Sequence, residues 1–231
     1  MPNPQGRMTK MSLLTILGAC TMFAAVVISN PVPELEVSEE FLECKRATNE
    51  KGEAIYECIL QDYTEDQMNE TLSMFPDTNC PKCRHLCRKQ AVLTHCLRNG
   101  AESLRTVSNK SLEMVPFIAE MMEAALVTLC ENDGDMANVL EDEEDSECFR
   151  KVWSKCSRPR LSFMENLERV AFCDAGDEET DPFTKGYVCQ KVVEFFECSE
   201  AEAETCSPTM KTNVSKMKSQ ISSLDSCAKY F

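Results

Sequence analysis

Residues 80–100 read CPKCRHLCRKQAVLTHCLRNG, and this stretch contains the features that decide the fold. Pro81 suits the first position of a helix, where its missing N–H costs no hydrogen bond. The residues that follow place apolar and cysteine side chains on one side of a helix: Cys83, Leu86, Cys87, Leu93 and Leu97. We expect this helix to end at Asn99-Gly100, because glycine favours a helix terminus. The stretch therefore predicts an amphipathic, cysteine-rich helix.

Cysteines eight or nine residues apart recur along the chain, and helix geometry limits how they can bond. The pairs are Cys87 and Cys96, Cys148 and Cys156, Cys189 and Cys198, and Cys198 and Cys206. Eight residues of helix rise about 12 Å, whereas the α-carbons of a disulfide lie at most about 7 Å apart. These cysteines must therefore bond to neighbouring helices. The spacing predicts helices joined by disulfides and leaves the pairing open.

Signals for helices recur throughout the chain, whereas signals for strand hairpins are nearly absent. Capping boxes begin at Thr64 and at Ser162, and Pro116 and Ser207-Pro208 are suited to helix starts. Shorter helices are expected over residues 38–48, 53–62, 146–156 and 187–198. Nine acidic residues within 131–147 indicate an exposed connection. We predict an all-α fold, a disulfide-stapled helical bundle of about eight helices.

An apolar segment near the N-terminus predicts export. Residues 11–29, MSLLTILGACTMFAAVVIS, carry no charge, follow Arg7 and Lys10, and end in small residues. This pattern is typical of a secretory signal peptide. We predict residues 1–29 as that peptide and residues 30–231 as a single Cys-rich helical domain, with no stable membrane anchor. An uncleaved anchor is the alternative, because the segment approaches the length that crosses a bilayer.

The cysteine count and the glycosylation sequons agree with export. Only Cys20 of the 15 cysteines lies in the predicted signal peptide, which leaves an even number for disulfides. The predicted disulfide cysteines are Cys44, Cys58, Cys80, Cys83, Cys87, Cys96, Cys130, Cys148, Cys156, Cys173, Cys189, Cys198, Cys206 and Cys227. Sequons predict N-glycosylation at Asn69, Asn109 and Asn213. We therefore expect a secreted, extracellular glycoprotein.

Charge excludes one class of partner and leaves another open. A net charge of −15 argues against nucleic acid, whose phosphates would repel the chain. Basic residues nevertheless cluster along the predicted helix from Pro81 to Arg98 and again within 150–160. One interpretation is that they compensate the acidic segment. The other is a binding face for an anionic glycan or a lipid headgroup.

Candidate chemistry is sparse in this sequence. Cys80-Pro-Lys-Cys83 at a helix start is an arrangement that lowers a thiol pKa in thiol–disulfide exchange enzymes. We interpret it as structural, since the pattern predicts none of the strands that accompany this motif and twelve other cysteines offer partners. Oxidised cysteines also argue against a metal site with His95, and Asp133-Gly134-Asp135 misses the EF-hand register. We expect no enzyme, no metal and no cofactor.

From Cys130 onward the spacing of motifs resembles a known family. The matching features are Cys130-Glu-Asn-Asp-Gly134-Asp135, Glu147-Cys148-Phe149, Cys156, Cys198 with seven residues to Cys206, Pro208-Thr209 and Cys227. Over roughly its C-terminal half the chain resembles the small, 27 kDa haemolymph glycoproteins of insects. The resemblance implies a secreted, mostly helical protein of body fluid with no established enzymatic activity. The cluster of Cys80, Cys83 and Cys87 departs from that family's pattern.

These observations predict a secreted, non-enzymatic, disulfide-rich glycoprotein of body fluid. Its partner would be a small apolar ligand, carried in a helical cavity, or an extracellular protein. The alternative is a venom or salivary effector, a toxin-like protein acting on a foreign target, since export, disulfides and a basic face suit that function equally. A thiol oxidoreductase is a third hypothesis.

Overall fold

The computed structural model describes residues 38–78, 80–139, 142–161, 164, 167–174 and 181–231, with the backbone alone for 132–139 and 158–159. The predicted signal peptide and the capping box that begins at Ser162 lie outside these residues. All regular secondary structure within the described ranges is helical, and no strand occurs there. The all-α fold predicted from the sequence is confirmed.

Eight helices of at least eight residues form the described part of the chain. They are α1 (Glu39–Leu60), α2 (Glu65–Met74), α3 (Pro81–Arg88), α4 (Gln90–Leu104), α5 (Asn109–Val139), α6 (Glu143–Leu161), α7 (Lys185–Ala203) and α8 (Pro208–Ser222). A π-helical turn, Glu168–Phe172, precedes α7, and a short helix α9, Asp225–Ala228, follows α8. The predicted bundle of about eight helices is therefore confirmed.

Helix starts follow the local capping signals. Thr64 Oγ1 accepts a hydrogen bond from the N–H of Gln67 at 3.4 Å, which caps α2. Ser207 Oγ accepts from the N–H of Met210 at 3.1 Å, and Pro208 occupies the first position of α8. Each bond satisfies an amide that the first turn leaves unpaired. Both predicted starts are confirmed.

The predicted single helix from Pro81 to Gly100 is wrong at two points. Lys89, with φ −98° and ψ 11°, separates α3 from α4, so the stretch forms two helices. The second helix continues past Gly100 to Leu104. Gly100 lies where α1 packs on α4, and a Cβ there would meet Ile55 Cγ1 at 2.2 Å. The glycine serves close helix packing instead of a helix end.

The predicted start at Pro116 is also wrong, because α5 begins at Asn109. Ser108 and Ser111 cap this helix reciprocally: each Oγ accepts from the other's N–H, at 3.0 and 2.8 Å. This pair satisfies the first amides seven residues before Pro116. Pro116 lies inside α5 with an exposed side chain. Water can therefore bond the carbonyl that the proline leaves free.

Two predicted interruptions are mostly helical where the structure describes them. The exposed connection predicted over 131–147 is wrong, since α5 runs to Val139 and α6 begins at Glu143. Acidic residues in the first turn of α6 favour its positive N-terminal end. The two helices predicted over 38–48 and 53–62 form the single helix α1. The predicted helices over 146–156 and 187–198 lie within α6 and α7, which extend beyond them at both ends.

All fourteen predicted cysteines form disulfides, and no pair eight or nine residues apart bonds to itself. The bonds are Cys44–Cys173, Cys58–Cys96, Cys80–Cys83, Cys87–Cys130, Cys148–Cys206, Cys156–Cys198 and Cys189–Cys227. Moving from Cys148 to Cys156 on α6 moves the partner back by the same eight residues, from Cys206 to Cys198. This register is that of an antiparallel pair, so α6 is bonded both to α7 and to the turn that follows α7.

Two main clusters of buried apolar side chains hold the helices together. The larger contains Met114, Phe117 and Ile118 from α5, together with residues of α6, α7 and the π-helical turn. The smaller contains Leu126 and Leu129, also from α5, with residues of α1, α3 and α4. Helix α5 therefore contributes to both clusters. Cys44 in α1 is bonded to Cys173, directly after the π-helical turn, and this bond borders the cleft described next.

Candidate functional site

A cleft of about 770 Å³ lies between the first turns of α1, the segment from Arg105 to Leu112, and residues 169–174. This volume falls within the range of about 300–1,000 Å³ found for small-molecule sites. Its lining includes Phe41, Cys44, Arg105, Ser108, Leu112 and Arg169. It opens to solvent, since the Leu112 side chain in its wall is 51% exposed.

The walls of the cleft are fixed by bonds between distant segments. The Cys44–Cys173 disulfide ties α1 to the end of the π-helical turn. Ser108 Oγ donates to the carbonyl of Phe172 at 2.5 Å, and Asp174 Oδ1 accepts from the N–H of Lys110 at 3.1 Å. Both hydrogen bonds join the start of α5 to the residues around Cys173. These three bonds restrict the movement of the cleft walls relative to one another.

The cleft combines cationic, polar and apolar groups. The Arg169 guanidinium lies 5.5 Å from the centroid of the Phe41 ring, a distance typical of cation–π contact. Among the described residues Arg169 makes no ion pair, whereas Arg105 pairs with Glu102 at 3.1 Å. Glu40 and Asp174 also line the cleft, and the Asp174 carboxylate is engaged by an α5 amide. Of the two cations that line the cleft, Arg169 is therefore the one without an ion pair among the described residues.

Sequence reasoning missed Phe41 and Arg169. Phe41 lies in the first turn of α1, and Arg169 lies in the π-helical turn, far along the chain. No local motif surrounds either residue. A π-helical turn widens the helix and is frequent at functional sites. The sequence of this turn, ERVAF, contains no signal that predicts a π-helix. Only the disulfide and the packing of the two segments bring these side chains together.

The basic residues of α3 and α4, predicted as a possible binding face, are largely paired within the fold. Arg88 binds Glu70 at 2.5 Å, Lys89 binds Asp62 at 2.7 Å, and Arg98 binds Glu123 at 2.7 Å. Lys82 and Arg84 also interact with neighbouring groups. The three acidic partners lie in α2, in the turn between α1 and α2, and in α5, so these basic residues are paired within the fold but not with the acidic segment.

The second basic cluster follows the same pattern. Lys151 pairs with Glu147 at 3.0 Å, within the predicted acidic segment, and Lys155 pairs with Glu202 of α7 at 2.7 Å. Lys216 of α8 pairs with Glu131 at 2.5 Å. Part of the acidic segment is therefore compensated by nearby cations, as one of the two interpretations expects.

His85 lies at the centre of a buried polar network that joins α2 and α3. Its side chain is fully buried, and Nε2 donates to the carbonyl of Asp62 at 2.6 Å. In the neutral ring Nδ1 accepts from Thr71 Oγ1 at 2.7 Å, and Thr71 accepts in turn from Arg88 at 2.9 Å. Burial lowers the pKa of His85, which favours this neutral form. The network is structural, since its polar atoms bond one another.

The cysteine cluster at the start of α3 is oxidised throughout. Cys80 is bonded to Cys83, and Cys87 to Cys130. Cys80 and Cys83 therefore bond to each other and to none of the twelve other cysteines. Oxidised sulfurs are not thiolate ligands, so these cysteines do not form a metal site with His95 in this state. Across the described residues no group of three or more His, Cys, Asp or Glu side chains could hold a metal ion. The side chains of Asp133 and Asp135 lie outside that description.

The three predicted glycosylation sites differ in accessibility. Asn69 on α2 and Asn109 at the first position of α5 have exposed side chains. Asn109 also lines the cleft. The amide nitrogen of Asn213 on α8 is buried and has no hydrogen-bond partner. The structure therefore presents two of the three acceptor nitrogens to solvent.

None of the helices in the described ranges is long and apolar enough to cross a bilayer. Comparison with protein-family models, with curated proteins and with solved structures gave no match. The resemblance to insect haemolymph glycoproteins therefore stays a prediction drawn from motif spacing.

Proposed function

We propose that this chain is a secreted, non-enzymatic glycoprotein of body fluid that carries a small, mainly apolar molecule in the cleft between α1, the start of α5 and the π-helical turn. The cleft itself is the observation that carries the proposal. It has the volume of a small-molecule site, and its walls are held by a disulfide and two hydrogen bonds. Such prior rigidity lowers the entropic cost of binding.

The lining favours a ligand with an apolar body and an anionic or strongly polar end. Phe41, Val107 and Leu112 offer apolar contact area. Arg169, lying over the Phe41 ring without an ion pair in the described chain, offers a cation beside that area. A fatty acid carries both features, because its carboxylate can bond a guanidinium while its chain covers apolar side chains.

Secretion is supported by the oxidation of all fourteen cysteines outside the predicted signal peptide. Seven disulfides in one chain are typical of oxidising compartments and rare in the cytosol. The fold would therefore keep its cleft intact in an extracellular fluid, where proteases act on loosely folded chains.

Native mass spectrometry of the protein purified from its source tests the proposal directly. We expect a bound small molecule, and we expect a panel of fatty acids and sterols to raise the melting temperature of the stripped protein. Arg169→Gln should abolish most of the shift for carboxylates, whereas Arg46→Gln, on α1 but outside the cleft, should leave it unchanged. An empty protein with no thermal shift for any member of the panel would overturn the proposal.

A further inference from the structure

Among the seven disulfides of the described chain, one closes a loop far shorter than the others. Cys80 and Cys83 are three residues apart, whereas the partners of the other six bonds lie 38 to 129 residues apart. The six longer bonds join different structural elements of the fold. The short bond stays within the first turn of α3 and holds no two helices together.

Loop length decides how strongly the fold protects each bond. A disulfide stabilises a fold by restricting the unfolded chain, and this restriction grows with the length of the loop. Linkage is reciprocal, so the fold stabilises a disulfide by the same amount as the disulfide stabilises the fold. Folding therefore opposes reduction of Cys80–Cys83 least. A reductant can open this bond while the other six keep the fold intact.

The two cysteines of this bond differ in accessibility. Cys80 is half-buried, whereas Cys83 is 4% exposed. An incoming thiolate therefore reaches the sulfur of Cys80 first. The other sulfur is shielded, which leaves it positioned to attack a bond formed at Cys80 and reclose the disulfide.

The start of α3 also stabilises negative charge on Cys80. Cys80 occupies the N-cap position of α3, and its Sγ accepts a hydrogen bond from the N–H of Cys83 at 3.3 Å. The helix carries Lys82, Arg84 and Arg88 and no acidic residue. A hydrogen bond from a helix N-terminus and nearby cations both favour a thiolate. When a mixed disulfide at Cys80 is later released, the electron pair left on Cys80 therefore has a favourable site.

We infer that Cys80–Cys83 is a thiol–disulfide exchange site that reacts with a dithiol, on a partner protein or a small molecule, while the other six bonds stay closed. A thiolate of the dithiol attacks Cys80 Sγ; the new S–S bond forms, the Cys80–Cys83 bond breaks, and Cys83 leaves with the electron pair and takes a proton. The second thiolate of the dithiol then attacks the dithiol's first sulfur, which is bonded to Cys80 in the mixed disulfide, and Cys80 is released. The dithiol is oxidised to a disulfide, and Cys80 and Cys83 are reduced.

Limited reduction of the native protein tests this inference. Low concentrations of dithiothreitol, followed by alkylation and peptide mapping, should label Cys80 and Cys83 at least about tenfold faster than any other cysteine. Cys148–Cys206 is the internal control, because both of its cysteines are half-buried but its loop is long. If the two bonds open at the same rate, or all seven open together, the inference is wrong.

Two matched variants test whether Cys80 is the more accessible sulfur and the better stabilised thiolate. In Cys83→Ser the remaining Cys80 thiol should react with dithionitrobenzoate about tenfold faster at neutral pH than the Cys83 thiol of Cys80→Ser. Mass mapping of each variant checks that the other six disulfides are present. Equal rates, or faster reaction at Cys83, would contradict the assigned roles. If either variant fails to fold, the limited-reduction experiment on the native protein still tests whether Cys80–Cys83 is the exchange site. Neither outcome depends on ligand binding in the cleft.

Discussion

A single buried side chain, His85, makes the stability of the protein depend on pH. Burial lowers its pKa below the ordinary value of 6.5, since the charged ring would lose its hydration. Between the folded and unfolded pKa values the unfolded chain binds the proton more readily than the native protein does. The free energy of unfolding contributed by this residue is therefore complete above about pH 6.5 and falls as the pH drops through the folded pKa.

We expect mild acid to destabilise the wild-type protein before its carboxylates titrate. Denaturant unfolding between pH 7.5 and 5 should show a falling free energy of unfolding in the wild type and in His95→Gln, which keeps His85. His85→Gln should flatten this dependence. A separate loss is expected below about pH 4, because a hydrogen bond from Lys89 lowers the pKa of Asp62 and that contribution disappears when the carboxylate is protonated. An unchanged slope in His85→Gln would contradict the assignment.

Thr71 supplies the hydroxyl on which the His85 network depends. Thr71→Val keeps the shape of the side chain but leaves Nδ1 of His85 and the Arg88 guanidinium without this partner. A buried polar group left unpaired costs about 1–3 kcal/mol of unfolding free energy. Thr212→Val on the exposed side of α8 is the control and should change stability by less than about 0.5 kcal/mol. Urea unfolding measures the free energy of unfolding of both variants, and equal losses would contradict the prediction.

We expect glycan occupancy to follow the exposure of each acceptor nitrogen. We expect Asn69→Gln and Asn109→Gln each to remove one glycan from the secreted protein, because both side chains are exposed. Asn213→Gln should leave the mass of attached glycan unchanged, since the folded helix buries Asn213 Nδ2. Intact-mass measurement before and after enzymatic deglycosylation checks all three variants. A glycan mapped to Asn213 would contradict this order.

At the scale of the elements, the contact between α1 and α4 depends on the missing side chain of Gly100. A Cβ at this position would lie 2.2 Å from Ile55 Cγ1, so either the helices must separate or Ile55 must move. Gly100→Ala should therefore lower the unfolding free energy by about 1–3 kcal/mol, the usual cost of overpacking. Thermal or urea unfolding measures the loss, and Ile55→Ala, which removes both clashing atoms Cγ1 and Cδ1, should cost less in Gly100→Ala than in the wild type.

Gly52 provides the matched control within the same pair of helices. It lies inside α1, and a Cβ there would meet no atom within 4 Å. Gly52→Ala should raise the unfolding free energy by about 0.5–1 kcal/mol, because alanine loses less backbone entropy in a helix. If both alanine variants shift stability in the same direction, the close-packing explanation for Gly100 is wrong.

At the scale of the whole molecule, the disulfides divide by the length of chain they close. Cys44–Cys173 spans 129 residues and Cys80–Cys83 spans three, yet each pair has one half-buried and one buried cysteine. Replacing Cys44 and Cys173 together by alanine should cost about 5 kcal/mol, against about 2 kcal/mol for Cys80 and Cys83. Urea unfolding of the two double variants gives this comparison. Equal losses would remove the basis for treating Cys80–Cys83 as the least protected bond.

The local signals in the sequence succeeded where their causes are local. The caps at Thr64 and Ser207 are read correctly because a side-chain oxygen and the amide it bonds lie three residues apart. The signals failed where a distant contact changes the meaning of a residue. The sequence alone predicts a helix end at Gly100, whereas in the structure this glycine lies within a helix and allows close packing against Ile55 of α1. The cleft could not be predicted, because Phe41 and Arg169 meet only through folding.

The sequence by itself determined that this protein is helical, that its spaced cysteines bond between helices and not within them, and where several helices begin. These properties depend on helix rise and on hydrogen bonds within one turn. Only the tertiary structure decided which cysteines pair, that Cys80 bonds to Cys83, and that a cleft forms beside Cys44–Cys173. Disulfides and clefts require atoms a few ångströms apart, and for residues far apart in the sequence only the packing of whole helices sets those distances.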